Sequence, residues 1–358
     1  MDARRIETAL IGILTVIAVG AVMHLLKDVF IPLSLAALLS LMLTPFVYWL
    51  EKWRFPKSLA ILFVMVVLFF ILYAVGQLFY SSVMSFAEVF GGYMDRLNQI
   101  LQEIWIKYEI PKEYFPEMGW TRTALDWLFQ VSGSFVNFGK VLFLVLLFLV
   151  FMLAEATVTR IKFRRAFSGK ISRKLSEAIS DVTIQVGRYL LVKTFISIIT
   201  GFSVWLALTI IGQDLAVLWG MLAFFLNFIP NLGSFAIMIA TMTLGLVQFY
   251  PDWNRIAAVW ITMPAIQMIL GNFIDPQLQG DQLDLSPLVI LVSLLFWGWI
   301  WGIIGMFLAV PFTVALKITM AHVPELKPIA ILLGSGRMSR RFKRSWRTNV
   351  RKNRKEEK

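Results

Sequence analysis

The sequence predicts an all-α polytopic membrane protein with about eight transmembrane helices, some of them broken or re-entrant in the C-terminal half. Three observations carry that expectation. Hydrophobic residues make up 58% of the 358-residue chain, and the mean hydropathy is +0.74. Uncharged runs recur along its length, at Ala9–Leu26, Val29–Leu50, Ser58–Ala87, Val141–Ala154, Thr194–Gln213 and Ile256–Ile274. Two further runs, Leu215–Pro251 and Leu285–Leu316, are uncharged yet interrupted by Gly and Pro, with Asn as well in the first. A membrane β-barrel would alternate in segments of about ten residues, and no such alternation is present.

The elements follow in order. Residues 1–80 hold three spans; the first lacks a small-residue cleavage site and is expected to be retained as the insertion signal. Residues 81–138 form a polar external segment that includes an amphipathic helix, Phe86–Tyr108, with Val89, Tyr93, Leu97, Ile100 and Ile104 on one face. Span four occupies 139–159. Residues 160–188 contain a second amphipathic helix, with Phe163, Phe167, Ile171, Leu175 and Ile179 on its apolar face. For both helices two readings stand, an interfacial helix on the headgroups or packing between subunits. Residues 189–320 form a C-terminal bundle with broken helices, and 321–358 a basic tail.

Charge sets the orientation. Arg160–Arg188 carries eight Lys/Arg against two acids, and Ser81–Asn137 carries four against seven. Lys and Arg favour the cytosolic side, so Arg4, Arg5, Lys52, Arg54, Lys57 and Arg160–Arg188 are placed inside. The net charge of +12 is concentrated in Arg337–Lys358, which holds 11 Lys/Arg and two Glu. This tail is read as cytosolic and attracted to anionic headgroups. Nucleic acid is not expected as a partner, because no recognition module accompanies the basic run. With the tail inside, an odd number of net crossings must follow Gly212. A simple count gives four, so one long stretch has to be irregular. Either Leu215–Pro251 contains a re-entrant half-helix, or Leu285–Leu316 doubles back at Trp297-Gly298-Trp299; eight net crossings are expected.

The absence of Cys removes disulfides and thiolate chemistry. His24 and His322 are too far apart in sequence to suggest a metal cluster, and no nucleophile–base pair or phosphate loop appears. An enzyme is not expected, nor a cofactor.

Polar residues inside the apolar runs are the candidates for function. Asn227, Pro230, Asn231, Gly233 and Ser234 mark one break, and Gln267, Asn272, Asp275 and Gly280 cluster around the end of another run. Pro230 removes a backbone donor, leaving unpaired carbonyls that can coordinate a cation or a polar solute. Asn227 and Gln267 are equally readable as interhelical hydrogen bonds. Asp275 is a functional hypothesis at membrane depth, or an ordinary turn before Pro276 at the interface. Trp297, Trp299 and Trp301 read as interface anchors or packing.

Four motifs then carry a resemblance. Phe228-Ile-Pro-Asn-Leu-Gly-Ser234, Gly271-Asn-Phe-Ile-Asp-Pro-Gln-Leu-Gln-Gly280, Leu285-Ser-Pro-Leu-Val-Ile290 and Gly302-Ile-Ile-Gly-Met-Phe-Leu-Ala-Val-Pro311 resemble the autoinducer-2 exporter family in order and spacing. Two positions depart from its pattern, Asn231–Ser234 and Ser286, and both bear on substrate choice. The resemblance implies a bacterial inner-membrane location, both termini cytosolic, a homo-oligomer (a pentamer), and export of a small polar solute such as autoinducer-2. It also implies an alternative, sodium or lithium/proton antiport, with a monovalent cation as the partner. A non-transporting scaffold is the remaining alternative, against which the broken helices argue.

Overall fold

The computed structural model describes residues 3–107, 139–155, 162, 169–279 and 284–335. Gly280, the stretch 108–138 and the tail from 336 onward lie outside these residues. The described residues are helical throughout apart from short turns, and their only strand-like pairing is the bridge between Leu285 and Gly334. The elements are α1 (Ala3–Leu25), α2 (Lys27–Lys52), α3 (Lys57–Lys107), α4 (residues 139–155), α5 (Gly169–Ile211), α6 (Ala216–Leu226), α7 (Leu232–Phe249), α8 (Trp253–Ile266), a π-helix (Gln267–Ile274), α9 (Asp275–Gln279), α10 (Pro287–His322) and α11 (Lys327–Leu332). Six helices among the described residues are long and apolar enough to cross a membrane: α2, α3, α5, α7, α8 with its π-helix, and α10. Large apolar side chains such as Phe70, Ile210 and Ile261 are more than 60% exposed. That surface suits hydrocarbon rather than water. The chain is an all-α polytopic membrane protein.

Two helices outrun the bilayer. α3 has 51 residues, about 77 Å at the helical rise, and its apolar first half continues without a break into 81–107. The Tyr93–Leu97 face of this extension packs against the core formed by α5 to α8. Arg96 secures it, donating to the carbonyls of Val247 (3.1 Å) and Tyr250 (2.7 Å). The amphipathic stripe therefore has an intramolecular partner, which neither of the two readings from the sequence supplied. α5 is likewise continuous over 43 residues, joining the basic segment to the apolar one. It stops at Gly212, whose φ of +82° is glycine territory and whose N–H reaches back to Leu208 O.

The chain divides into two compact units. Leu35–Ala154 and Val192–Leu278 form the larger; Met1–Ser34, Glu155–Leu191 and Gln279–Lys358 form the other. In the larger unit one apolar core joins Val204, Leu208, Trp219, Ala223, Ile237, Val259 and Met263, and a second joins Ala36, Ala60, Val64, Val145 and Leu149.

Each unit contains a helical hairpin. In the larger, α6 and α7 turn back over Asn227–Asn231. A Cβ on Gly233 would sit 1.8 Å from Leu226 O, so only glycine lets the arms meet. The hairpin closes on itself at its base, where the Asp214 N–H donates to Gln248 Oε1 (2.9 Å) and Gln248 Nε2 donates to Gly212 O (3.2 Å).

In the other unit α10 folds back as well. Thr313 Oγ1 donates to Ser293 Oγ at 2.8 Å, a pair that a straight helix would hold about 30 Å apart. The turn lies at Trp301 and Gly302 (φ +63°), just beyond the Trp297-Gly298-Trp299 expected from sequence. Gly302 supplies the left-handed backbone, while Gly305 is the close-approach residue: its Cβ would lie 1.8 Å from Trp297 O. The base is closed by Ser286 N–H to Leu333 O and by an Asp284 clasp that receives Lys317 and Ser335.

Both long stretches therefore double back, where the parity argument asked for one. Six candidate spans among the described residues stand beside the expectation of about eight transmembrane helices.

Candidate functional site

One face of α5 carries Lys193, Ser197 and Thr200, spaced four and three residues apart and so stacked on one side of the helix. All three are buried. Each meets a different part of the larger unit. Lys193 Nζ donates to Asp275 Oδ2 at 2.7 Å, with the two side chains 5% and 14% exposed. Asn227 Nδ2, at the tip of the α6–α7 hairpin, donates to Ser197 Oγ at 3.0 Å. Thr200 lines a small cavity together with Ser234 of α7 and Gln267 of the π-helix. The ladder spans about 10 Å along α5.

The backbone explains why these groups converge. Pro264 withdraws a donor within α8 and the chain continues as a π-helix from Gln267 to Ile274. Such helices recur at functional sites because they re-aim side chains. Gly271 leaves the room in which the Gln267 amide lies; a Cβ there would be 2.5 Å from Nε2. Asp275 follows directly and opens α9. On the facing side, Gly201 and Gly220 allow α5 and α6 backbones to touch, a Cβ on Gly201 falling 2.6 Å from Gly220 O.

Burial of an ion pair is costly unless other interactions compensate. In an apolar protein such a pair is a candidate for function rather than for stability. The cavity beside Thr200 has a volume of about 20 Å³, enough for about one water. A far larger groove of about 900 Å³ is lined by Met42, Phe46, Trp49, Phe63, Phe202 and Trp205 among others. Its lining is almost wholly apolar and offers a polar molecule nothing to bind.

Of the residues singled out from sequence, the structure brings Asn227, Ser234, Gln267 and Asp275 into this buried cluster. Pro230 shapes the hairpin turn. Gly233 faces the Leu226 carbonyl rather than open space, so it serves the fold of the hairpin. Asn231 (φ +60°) and Asn272 present exposed side chains outside the cluster. Gly280 lies outside the described residues. Sequence reasoning missed Lys193, Ser197 and Thr200. The signal was present: Lys193 is flanked by Leu190-Leu-Val and Phe195-Ile, with polar residues at the next two helical turns. Cutting the uncharged run at Thr194 put its most telling residue outside it.

A model of the AI-2E family transporters matches residues 12–325. The chain belongs to that family. Three relatives each align over nine tenths or more of both chains. A putative transport protein of Borreliella burgdorferi is 31% identical over 330 residues, 92% of this chain and 91% of its own. A putative transport protein of Haemophilus influenzae is also 31% identical, over 92% and 97%. The AI-2 transport protein TqsA of Escherichia coli K12 is 29% identical over 90% and 94%. This AI-2E family member is a multi-pass membrane transporter.

Proposed function

We propose that this transporter exports a small polar solute of the autoinducer-2 type across the bacterial inner membrane, with both termini cytosolic. The observation that carries the reading is the buried polar ladder Lys193–Ser197–Thr200 facing Asp275, Asn227 and the Ser234–Gln267 cavity. Hydroxyls, amides and one paired carboxylate in an otherwise apolar bundle match a hydroxyl-rich solute, whose hydroxyl groups need partners to leave water. The small cavity is then the closed state of a path that opens between the α6–α7 hairpin and α5. Similarity to the E. coli AI-2 transport protein supports the choice of solute.

The test is efflux. Cells lacking their own exporters are loaded with autoinducer-2, and the external signal is followed with and without this protein. Expression should raise the efflux rate several-fold, and Asn227→Leu should abolish the increase at equal membrane abundance. Efflux that is unaffected by expression would remove this solute. Wild-type rates in Asn227→Leu would move the path away from the ladder.

A further inference from the structure

We propose that the large apolar groove of the larger unit seats one anionic phospholipid of the surrounding bilayer. Its acyl chains lie along the groove, and its phosphate is held by the basic rim at the turn between α2 and α3. The groove shares no lining residue with the polar ladder or its small cavity, so the inference stands whatever solute is carried.

Three observations carry it. The first is the wall. The groove, about 900 Å³ in volume, is lined from α2, α3, α5 and α6, and the first three of these are long and apolar enough to cross a membrane. Thr194 supplies the only hydroxyl among the lining residues, and Phe46, Phe63, Ile198 and Phe202 stay exposed. A concave apolar face at that depth meets hydrocarbon, and a chain laid in it gains dispersion contacts on several sides at once. The second is direction. Lys57, Val64, Ile71 and Leu78 follow one another at seven-residue spacing on one stripe of α3, and the last three line the groove. From Lys57 to Leu78 is about 32 Å, close to the thickness of the hydrocarbon. On α2, Met42, Phe46 and Trp49 line the groove, and Lys52 lies three residues beyond Trp49 on the same side of the helix. The third is charge. Lys52 and Arg54 are exposed, and Lys57 Nζ donates to Ala154 O at 2.9 Å, which holds its ammonium at the rim. Glu51 is the one acid within 51–57, so the rim carries three positive charges against one negative. The Trp49 and Trp53 rings, 5.4 Å apart, stand between the rim and the groove, as indoles do at headgroup level.

The charge selects the occupant. An isologous contact with a second copy would set two cationic rims side by side. A zwitterionic lipid brings a cation of its own to the same place. An anionic headgroup balances the rim while its chains fill the groove, so both ends of one molecule are matched.

The experiment uses the full chain in a non-ionic detergent. It is incubated with equal amounts of dioleoyl phosphatidylglycerol and dioleoyl phosphatidylcholine, which differ only in headgroup, and the lipid retained per chain is read by native mass spectrometry. Wild type should retain about one phosphatidylglycerol per chain, with at least about a fivefold preference over phosphatidylcholine. Lys52→Gln/Arg54→Gln should bring that preference close to one. Ile198→Trp fills the groove from an exposed position and should lower retention of both lipids several-fold. Equal retention of the two lipids by wild type overturns the proposal, as does a preference that survives in the rim variant. Retention unchanged in a folded Ile198→Trp overturns it too. Lipid-free oligomers that dissociate in Ile198→Trp would give the groove to a second copy instead. Should Ile198→Trp not fold, the rim variant still decides, because both of its altered side chains are exposed. None of these readouts needs transport.

Discussion

The α6–α7 hairpin turns on Asn227, Pro230 and Asn231, whereas the α10 hairpin turns on Trp301 and Gly302. Their closure is the same. In each, a glycine lies against a carbonyl seven or eight residues earlier, Gly233 on Leu226 and Gly305 on Trp297. Their tips are opposite in chemistry. The first presents an amide that reaches a buried serine, beside a buried ion pair. The second presents indoles: Trp301 is buried and donates to Met23 O at 3.0 Å, and Trp297 packs on Phe312. His24 Nδ1 lies 2.7 Å from Ile300 O, satisfying a carbonyl that the turn releases. On the function proposed above, the first tip exchanges its hydrogen bonds with a solute and the second holds its own. Backbone geometry is the same in both, so on that reading it is the polar groups at the break that distinguish them.

The largest expected effect tests the shared device. Gly233→Ala and Gly305→Ala each place a methyl group within a backbone carbonyl that cannot retreat, and each should cost at least about 3 kcal/mol. Monodisperse protein on size exclusion should fall sharply for both. Normal yield and Tm in either would show that the hairpin arms separate more easily than the close approach allows.

An intermediate effect separates the tips. Asn227→Ala leaves the Ser197 hydroxyl without its donor and should cost about 1–2 kcal/mol while stopping efflux. Trp301→Phe removes the N–H to Met23 O together with part of the ring packed on Trp297 and Phe312, and should cost about 1–3 kcal/mol, yet leave efflux at wild-type levels. Equal loss of transport in the two variants would erase the distinction between them.

The smallest effect concerns the base of the α10 hairpin. Burial pushes the Asp284 carboxyl up, but hydrogen bonds from Lys317 and Ser335 and the Lys317 charge outweigh it and hold it below the ordinary carboxylate range. The sign follows from that depression. The clasp contributes fully above the carboxyl's unfolded value and is lost as pH falls through its lower folded one. Asp284 is 40% exposed, so screening keeps the contribution under about 1 kcal/mol. Acid titration of Tm should show a shallow step that Asp284→Asn removes. An unchanged titration curve in that variant would assign the acid sensitivity to other carboxyls. The α6–α7 hairpin closes on the neutral Gln248 and should show no step of its own when Gln248→Ala is titrated.

Much of this was legible in the sequence. Composition and uncharged runs determined a helical membrane protein, because a chain that must satisfy its backbone in hydrocarbon has little choice but helices. The lengths of Leu215–Pro251 and Leu285–Leu316, too long for one span and awkward for two, pointed to the two segments that fold back. Gln267 and Asp275 were visible as polar punctuation, and Pro230 as a break in the helix. Tertiary structure alone decided the rest. Hydropathy reports lipid-facing and core-facing residues alike, so it could not show that the Tyr93–Leu97 stripe of α3 is covered by the protein itself. It could not show which glycine turns a hairpin and which closes it, since that depends on φ at Gly302 and on a carbonyl facing Gly305. Nor could it pair Lys193 with Asp275. The two lie 82 residues apart, and only the packing of α5 against the end of the π-helix takes both out of water and leaves each as the other's counter-charge.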